Sequence, residues 1–324
     1  MTYLVTGGAG FIGAEITRLL VHDGGTVVIY QRNPVRSQIE ELLEKEIDKK
    51  VEIIRGDIAD LAHLMRTVQK YDVERIIHMS SLHAPESAAN PLLAIQINCI
   101  GTTHIFETAR RLGVQKVVWA SSGRIFGPPE KYEQEYITDE APHYPLGIYG
   151  ACKSLNENMA KHYFNEYGVD IIGLRFGLVY GAARSEGLGA TLLEELVLKP
   201  ALGKEGRVPQ GDSTVNWLYV EDAARAAVVA SKTGKTKTRA FNLNGDIRSM
   251  SEAVDCVKKL IPDAKLTLSP GSSGFIVKYD ATRAKEEIGY EAQWTLEKGM
   301  EKMIRDIRDK TARGRSGGKE FGSI

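Results

Sequence analysis

The feature that most constrains this chain is a glycine-rich turn between its first apolar run and its first helical segment. In "LVTGGAGFIGAEI", Gly7, Gly10 and Gly13 stand at that junction. Glycines there let the backbone turn tightly and approach a phosphate, and the helix start supplies unpaired N–H groups and a positive dipole end. The placement therefore predicts that the loop binds the pyrophosphate of a dinucleotide, and it disfavours a turn without a ligand.

Short apolar runs alternate with amphipathic helical segments after this loop. The runs are "YLVT", "TVVIY", "VEIIRG", "RIIHMSS", "KVVWASS" and "VDIIGLRF", and segments such as "FIGAEITRLLVHDG" and "SQIEELLEKEIDKK" separate them. Strands that are apolar along nearly their whole length are buried on both faces, as in a parallel sheet covered by helices. The pattern predicts an α/β fold with a doubly wound parallel sheet of the Rossmann type.

The alternation loosens after residue 177, which predicts a division of the chain. We expect a dinucleotide-binding domain over 1–177 with segments returning from the C-terminal part, a smaller substrate-binding lobe over 178–311 and a mobile tail over 312–324. Helices are predicted in "LGATLLEELVLKPALG" and "EDAARAAVVASK", a strand in "RAFNLN", and a capping box from Ser249 to Glu252. The tail is rich in Gly, Ser and charge and has no periodicity.

Composition narrows the functional class. Lys plus Arg and Asp plus Glu both number 42, so no net field draws the protein to nucleic acid or to an anionic membrane. The three cysteines, Cys99, Cys152 and Cys256, form no CxxC pair and suit a reducing compartment, so we expect a cytoplasmic protein. There is no signal-like start and no apolar run of about 20 residues. The seven histidines show no metal-ligand spacing, so no metal is expected, and His78 is expected to pack within a strand.

Two segments later in the chain contain reactive side chains. Of the 13 tyrosines, only Tyr149 has a lysine four residues on, and this spacing places Tyr149 and Lys153 on one helical face. A free phenol, with a pKa near ~10, is a poor proton shuttle at neutral pH, but a neighbouring ammonium favours the phenolate. Ser121 and Ser122 end the fifth apolar run, at the sheet edge where doubly wound folds bind ligands. The pair and the serines together indicate a catalytic constellation.

The motifs "TGGAGFIG", "GDIAD", "SSGRIFG", "YGACK" and "LRFGLVYG", in this order, resemble the extended short-chain dehydrogenase/reductase family, in its NAD-dependent epimerase/dehydratase group. The resemblance covers residues 1–230. It implies that Ser122 binds the substrate oxygen, that Tyr149 is the acid/base and that Lys153 holds the nicotinamide ribose. The contacts expected to NAD or NADP are Gly7, Gly10, Phe11, Ile12, Gly13, Gln31, Arg32, Asp57, Ile58, Ser80, Leu82, Asn98, Tyr149 and Lys153.

Two of these positions have open alternatives. Asp57 could accept a hydrogen bond from the adenine amino group or cap a helix, but Asp60 is better placed as the cap, so we favour cofactor contact for Asp57. Asn98 matches a family asparagine near the cofactor, yet it could equally make a subunit contact. The resemblance also implies a homodimer formed by four helices, two from each chain, containing "LLAIQINCIGTTHIFETARRL" and "YGACKSLNENMAKHYF".

The sequence departs from the family in ways that bear on cofactor and substrate. Gln31 stands where many NAD-using members have Asp, and Arg32 could pair with a 2′-phosphate, so NADP is favoured over NAD. Val215 and Asn216 stand where nucleotide-sugar members commonly place an Arg that clamps a diphosphate. An Asn that several sugar-nucleotide epimerases carry is also absent around Gly177 and Leu178. Both differences predict a smaller substrate.

Three residues are candidates for substrate binding. Arg124, two residues after Ser122, and Arg184, in "GAARSEG", could each bind a carboxylate or phosphate, although most arginines are solvent-facing members of ion pairs. His83 lies in a loop that we expect to be beside the nicotinamide.

We therefore expect an NAD(P)-dependent oxidoreductase acting on a secondary alcohol or ketone of a small polyhydroxylated or sugar-acid-like molecule. The alternatives are a sugar or nucleotide-sugar epimerase or dehydratase, which would use the same residues, and a non-catalytic NAD(P)-binding sensor. The intact Ser122, Tyr149 and Lys153 disfavour the sensor.

Overall fold

A parallel seven-stranded sheet forms the centre of the molecule. The computed structural model describes residues 1–34, 50–184 and 187–317. Numbered along the chain, the strands of this sheet are β1 (Thr2–Thr6), β2 (Thr26–Gln31), β3 (Val51–Arg55), β4 (Arg75–His78), β5 (Lys116–Ser122), β6 (Ile171–Phe176) and β10 (Ala240–Asn242). Their order is β10–β6–β5–β4–β1–β2–β3. The predicted doubly wound, Rossmann-type sheet is confirmed, and its order reverses between β1 and β4, where such folds bind ligands.

Successive residues of each strand contribute side chains to two separate hydrophobic clusters, one on each face of the sheet, because side chains alternate between the two faces. Leu4 belongs to a cluster that contains Phe106, whereas Val5 belongs to another that contains Ile16. Helices cover both faces, as the fully apolar strands predicted. The helices of this part are α1 (Phe11–His22), α2 (Leu61–Lys70), α3 (Ala84–Ala89), α4 (Pro91–Ala94), α5 (Thr102–Leu112), α6 (Ile148–Tyr167) and α9 (Val220–Lys232), with a π-helical turn at Ile95–Gly101 between α4 and α5.

A smaller group of elements surrounds Trp217 in a third hydrophobic cluster. Its strands are β7 (Leu178–Tyr180), β9 (Thr214–Tyr219) and β11 (Asp246–Ser249) in one sheet, and β8 (Gly206–Val208) paired with β12 (Leu266–Leu268) in another. Its helices are α7 (Leu188–Leu193), α8 (Lys199–Ala201), α10 (Met250–Leu260) and α12 (Leu296–Gly317), with a π-helical turn at Glu194–Leu198. Helix α11 (Thr282–Ile288) packs instead in the main-sheet cluster that contains Ile16. The predicted capping box is confirmed, since Ser249 and Glu252 cap the start of α10 reciprocally.

The structure differs from the sequence expectations at two places, and a third predicted element lies almost wholly outside the described residues. The segment predicted as one helix over 188–203 contains a π-helical turn between α7 and α8. Helix α12 runs through Gly317, six residues into the segment expected to be a tail, and 318–324 lie outside the described residues. The helix predicted in "SQIEELLEKEIDKK" falls almost wholly on 35–49, also outside them. Within the described ranges, no helix is long and apolar enough to cross a membrane.

Candidate active site

The glycine loop after β1 has the tight geometry that a bound pyrophosphate requires. Gly7 has a φ of +68°, and a Cβ on Gly13 would lie only 2.1 Å from the carbonyl oxygen of Gly7, so neither position tolerates a side chain. Gly10 precedes α1, whose first turn begins with Phe11 and Ile12. The N–H groups of a first helical turn have no acceptor within the helix, so this backbone fits a dinucleotide phosphate.

The residue where the family often has an acid holds the glycine loop in place. The Oε1 atom of Gln31 accepts a hydrogen bond from the Ala9 backbone N–H at 2.9 Å, and its Nε2 donates to the Asn33 carbonyl at 3.3 Å. Arg32 follows with an exposed side chain. Gln31 therefore links the end of β2 to the phosphate loop, and Arg32 is left at the adjoining surface.

Asp57 and Asp60, in the loop after β3, make different contacts. The Asp60 carboxylate accepts from the His63 N–H at 2.9 Å and caps α2, as predicted. Asp57 uses Oδ1 to accept from the Ala59 N–H at 2.9 Å, and its Oδ2 has no partner among the described residues. Ile58 is buried against Gly101 and holds the loop to the π-helical turn. Oδ2 of Asp57 thus remains the candidate acceptor for an adenine amino group.

Asn98 positions the loop that follows β4. Its Oδ1 accepts from the Leu82 N–H at 2.7 Å, while its Nδ2 donates to the Leu82 carbonyl at 2.9 Å. Only 1% of Asn98 is exposed, so the subunit-contact alternative is wrong for this side chain. Ser80 in the same loop packs against Gly7, where a Cβ would lie 3.2 Å from the Ser80 N and Oγ atoms. Asn98 therefore fixes the loop after β4 through the backbone of Leu82.

Ser122, Tyr149 and Lys153 come from two elements that pack tightly together. A Cβ on Gly150 would lie 2.2 Å from the Arg124 carbonyl oxygen, so the turn after β5 lies directly against the first turn of α6. The Lys153 Nζ donates to the Ala120 carbonyl at 2.7 Å and lies 5.5 Å from the centre of the Tyr149 ring. A glycine at 150 is thus required to bring the end of β5 beside Tyr149.

A buried ionic network that the sequence analysis missed lies behind this trio. Glu157 accepts from Arg175 through two hydrogen bonds, from Nε at 2.9 Å and Nη2 at 2.7 Å, and from Ser121 Oγ at 2.6 Å. His143 Nε2 is 3.4 Å from Glu157. Burial alone would raise the pKa of Glu157, but the Arg175 charge outweighs it and holds the pKa below its usual range. The network fixes Ser121, and with it the adjoining Ser122.

The sequence offered a signal for this network. Glu157 continues the four-residue spacing of Tyr149 and Lys153 along α6, and Arg175 is a charged residue inside an apolar strand. Ser121, which precedes Ser122 at the end of β5, donates its hydroxyl hydrogen to this carboxylate.

Arg124 and Arg184, the two arginines proposed from sequence, are both partly buried. The Arg124 guanidinium stacks on Phe275, with Cζ 3.7 Å from the ring centre, and the Arg124 backbone N–H donates to Ser122 Oγ at 3.1 Å. Burial lowers the pKa of Arg124 and of Arg184, and the Tyr149 hydroxyl acts on both in the opposite direction. Tyr149 is thus within electrostatic range of two cationic side chains.

Arg184 and His83 meet beside the start of α1. The Arg184 Nη1 donates to the Val179 carbonyl, and its Cζ lies 6.0 Å from the centre of the Phe11 ring. A Cβ on Gly187 would lie 3.5 Å from His83 Cγ and 3.6 Å from Arg184 Nη2. The structure therefore brings together the His83 loop, the substrate-side loop and the end of the glycine loop.

The other titratable groups singled out from sequence are structural. His78 is buried between the hydroxyls of Thr6 and Thr102, and burial lowers its pKa to about 3. Cys152 and Cys99 are both buried and form no disulfide. The described residues contain no cluster of His, Cys, Asp or Glu that could hold a metal ion.

Known proteins of similar sequence span nearly the whole chain. A model of the NAD dependent epimerase/dehydratase family matches residues 3–243. A UDP-glucose 4-epimerase of Mycolicibacterium smegmatis is 29% identical over 324 residues, which cover 96% of this chain and 100% of that protein.

Solved structures share the fold. The UDP-glucose 4-epimerase of Bifidobacterium longum in complex with NAD+ and UDP superimposes with a TM-score of 0.84 at 24% identity, covering 97% of this chain and 100% of that one. An L-threonine dehydrogenase from Cupriavidus necator superimposes with a TM-score of 0.81 at 19% identity, covering 96% and 100%. Epimerases and dehydrogenases therefore share this architecture.

Proposed function

The chain belongs to the NAD dependent epimerase/dehydratase family, and we propose that it is an NAD(P)-dependent oxidoreductase interconverting a secondary alcohol and a ketone. The substrate in this proposal is a small polyhydroxylated or sugar-acid-like molecule. The observation that carries the proposal is the close packing of the turn after β5, which follows Ser122, against the first turn of α6, which holds Tyr149 with Lys153 one helical turn further on.

Each of these side chains has a distinct role in the proposed reaction. A nicotinamide bound at the glycine loop would accept or supply the hydride. The Tyr149 oxygen takes the proton from the substrate hydroxyl during oxidation and returns it during reduction. Ser122 Oγ donates to the substrate oxygen and holds it in place. The Lys153 ammonium, held by the Ala120 carbonyl, lies 5.5 Å from the centre of the Tyr149 ring and has donors left for the cofactor ribose.

Replacing the proposed acid/base tests this function. We expect Tyr149→Phe to lose about 10²- to 10⁴-fold in turnover, because the ring remains but the proton carrier is gone. Turnover is followed as formation of reduced nicotinamide on a panel of secondary alcohols, and cofactor affinity by fluorescence titration, which should be unchanged. Tyr167→Phe, on an exposed tyrosine of the same helix, is the matched control. Wild-type turnover in Tyr149→Phe would exclude the mechanism.

The proposal of a compact substrate is supported by the hydrogen bonds that Asn216 makes within the protein. This side chain is 1% exposed, and its Nδ2 donates to the Leu243 carbonyl at 3.0 Å while its Oδ1 accepts from the Gly245 N–H at 2.8 Å. It is therefore committed to the backbone between β10 and β11. The position where nucleotide-sugar members commonly carry an arginine offers no group for a diphosphate.

A sugar or nucleotide-sugar epimerase or dehydratase is the second candidate. It is favoured by the similarity to the M. smegmatis UDP-glucose 4-epimerase over the full length of that protein. An epimerase would oxidise and then re-reduce one carbon with the opposite face presented, using the same Ser122, Tyr149 and Lys153. Such an enzyme regenerates its cofactor in every cycle and has no need to release it.

The cofactor and setting complete the proposal. NADP is favoured over NAD because Arg32 is a cation with no carboxylate partner among the described residues, next to a strand end that carries no acid. A cytoplasmic location is supported by three buried cysteines that form no disulfide.

We also propose a homodimer. Leu92, Ile95 and Ile100, around the π-helical turn, and Leu155 on α6 are exposed apolar side chains on the two helical segments that the resemblance assigns to a dimer contact. Light scattering at micromolar concentration should return the mass of two chains, and the mass of a monomer would exclude this contact.

A further inference from the structure

The two buried arginines of the described chain, Arg175 and Arg239, are paired with carboxylates. Arg175 is bound by Glu157, and Arg239 donates to Asp170 at 2.8 Å. This pairing is expected, because an unpaired charge withdrawn from water is costly. Arg124 and Arg184 have no carboxylate partner among the described residues, although both are partly withdrawn from solvent.

Arg124 is held in place without being neutralised. Phe275 covers one face of its guanidinium, and no side-chain N–H of Arg124 has a hydrogen-bond acceptor in the described part of the chain. Because its backbone N–H donates to Ser122 Oγ, the residue is tied to the group proposed to hold the substrate oxygen. Stacking of this kind orients the planar donors while leaving their edge to bind another group.

Arg184 has a buried donor with no acceptor. Its Nη1 donates to the Val179 carbonyl, but its Nε is fully buried and lacks any partner among the described residues. Gly189 makes room for the side chain, since a Cβ there would lie 2.6 Å from Arg184 Cζ. A buried guanidinium with an unpartnered N–H is stabilised when an anion binds to it, because charge-assisted hydrogen bonds then replace the hydrogen bonds to water that it lost on burial.

We propose that Arg124 and Arg184 bind an anionic group, a carboxylate or a phosphoryl, carried by the substrate close to the carbon that bears its hydroxyl. The inference rests on the proposed function, since it takes Ser122 and Tyr149 to mark the reacting oxygen. The Arg124 backbone N–H donates to Ser122 Oγ, so the side chain that would bind the anion begins beside the group proposed to hold that oxygen. The substrate class is thus a compact hydroxy acid or hydroxy phosphate.

Binding of an unreactive anion tests the proposal without requiring turnover. Malonate and inorganic phosphate carry no hydroxyl-bearing carbon, and each is titrated by calorimetry into the full chain in the presence of saturating NADP. Wild-type protein should bind at least one of them, and the preferred anion distinguishes carboxylate from phosphoryl recognition. Arg124→Met and Arg184→Met should each weaken that binding about tenfold or more. Arg66→Met, which removes an exposed arginine of α2, should leave it unchanged.

Three results would overturn the proposal. These are wild-type protein that binds neither anion, arginine variants that bind as tightly as wild type, and an Arg184→Met variant that loses NADP affinity but keeps anion affinity. The last result would assign Arg184 to the cofactor pyrophosphate. Arg124→Gln and Arg184→Gln provide second variants if a methionine variant fails to fold, which thermal unfolding monitors. Because malonate and phosphate cannot be oxidised here, loss of anion binding would stand even if Tyr149→Phe disproved the proton-transfer mechanism.

Discussion

Gln31 shows how one residue can alter a nucleotide site while preserving its scaffold. Its amide accepts from the Ala9 N–H, as a carboxylate at the same place could, so the glycine loop keeps its support. The amide brings no negative charge, however, and a 2′-phosphate next to it meets no repulsion. The exposed Arg32 beside it then becomes the group on which discrimination between the two cofactors depends.

We expect Arg32→Ala to weaken NADP binding about tenfold, with little change for NAD, because only NADP carries the 2′-phosphate that Arg32 would bind. Fluorescence titration of wild type and variant with both reduced cofactors measures the ratio. Arg66→Ala, another exposed arginine, controls for the general loss of positive charge. An unchanged NADP to NAD ratio in Arg32→Ala would remove Arg32 from the cofactor site.

Individual site residues were predictable from sequence where short spacing determined their geometry. Tyr149 and Lys153 share a helical face because four residues nearly complete a turn, and Ser122 ends a buried strand. The contact of His83 with the Arg184 loop was not predictable, because β4 and β7 belong to different sheets and only tertiary packing joins the segments that follow them.

At the scale of elements, α6 links the proposed chemistry to the core of the sheet. Tyr149, Lys153 and Glu157 follow one another along one face, and the last of them binds Arg175 of β6. The Glu157 carboxylate also accepts a hydrogen bond from the Ser121 hydroxyl, so β5 is joined to α6 at this point. The reactive end of the helix is thus positioned by a buried charge pair two turns away.

Breaking that pair should destabilise the protein measurably. Glu157→Gln leaves the buried Arg175 with only the more distant Asp139 carboxylate, at 3.8 Å, and we expect a loss of about 3 kcal/mol in the free energy of unfolding. Urea denaturation measures the change, and turnover should fall because the new amide nitrogen would face the Arg175 Nη2 donor and loosen the contact that fixes Ser121. Glu107→Gln, at a partly exposed carboxylate paired with Arg110 and Arg111, should cost no more than about 1 kcal/mol. A Glu157→Gln variant as stable as wild type would contradict this role.

Elements of the fold were predictable to the extent that their sequence patterns are local. The strands from β1 to β6 were predicted because each is a continuous apolar run. Helix α10 was predicted because its capping-box residues are recognisable in the sequence. The three-residue strands β7, β8 and β12 were missed, since pairing with distant segments defines strands this short. The π-helical turn at Ile95–Gly101 leaves no sequence signal of its own, although it carries Asn98.

At the scale of the whole molecule, the chain returns after β9 to complete the main sheet. β10 pairs with β6, and α9 contributes Ala223, Ala227 and other small residues to the cluster that also holds α1. The C-terminal part therefore supplies both a separate cluster around Trp217 and part of the dinucleotide-binding core. This arrangement brings Arg184 from one part of the chain beside Phe11 from the other.

The nucleotide carried by the purified protein tests the proposed function most directly. The protein is purified without added nucleotide, denatured and analysed by mass spectrometry, and a second sample is titrated with NADP and NAD. We expect a largely empty protein that binds about one NADP per chain reversibly, as a dehydrogenase that releases its cofactor must. NAD retained at about one per chain would exclude the dehydrogenase proposal and favour the epimerase. A protein that carries neither nucleotide and binds neither would contradict the proposed function altogether.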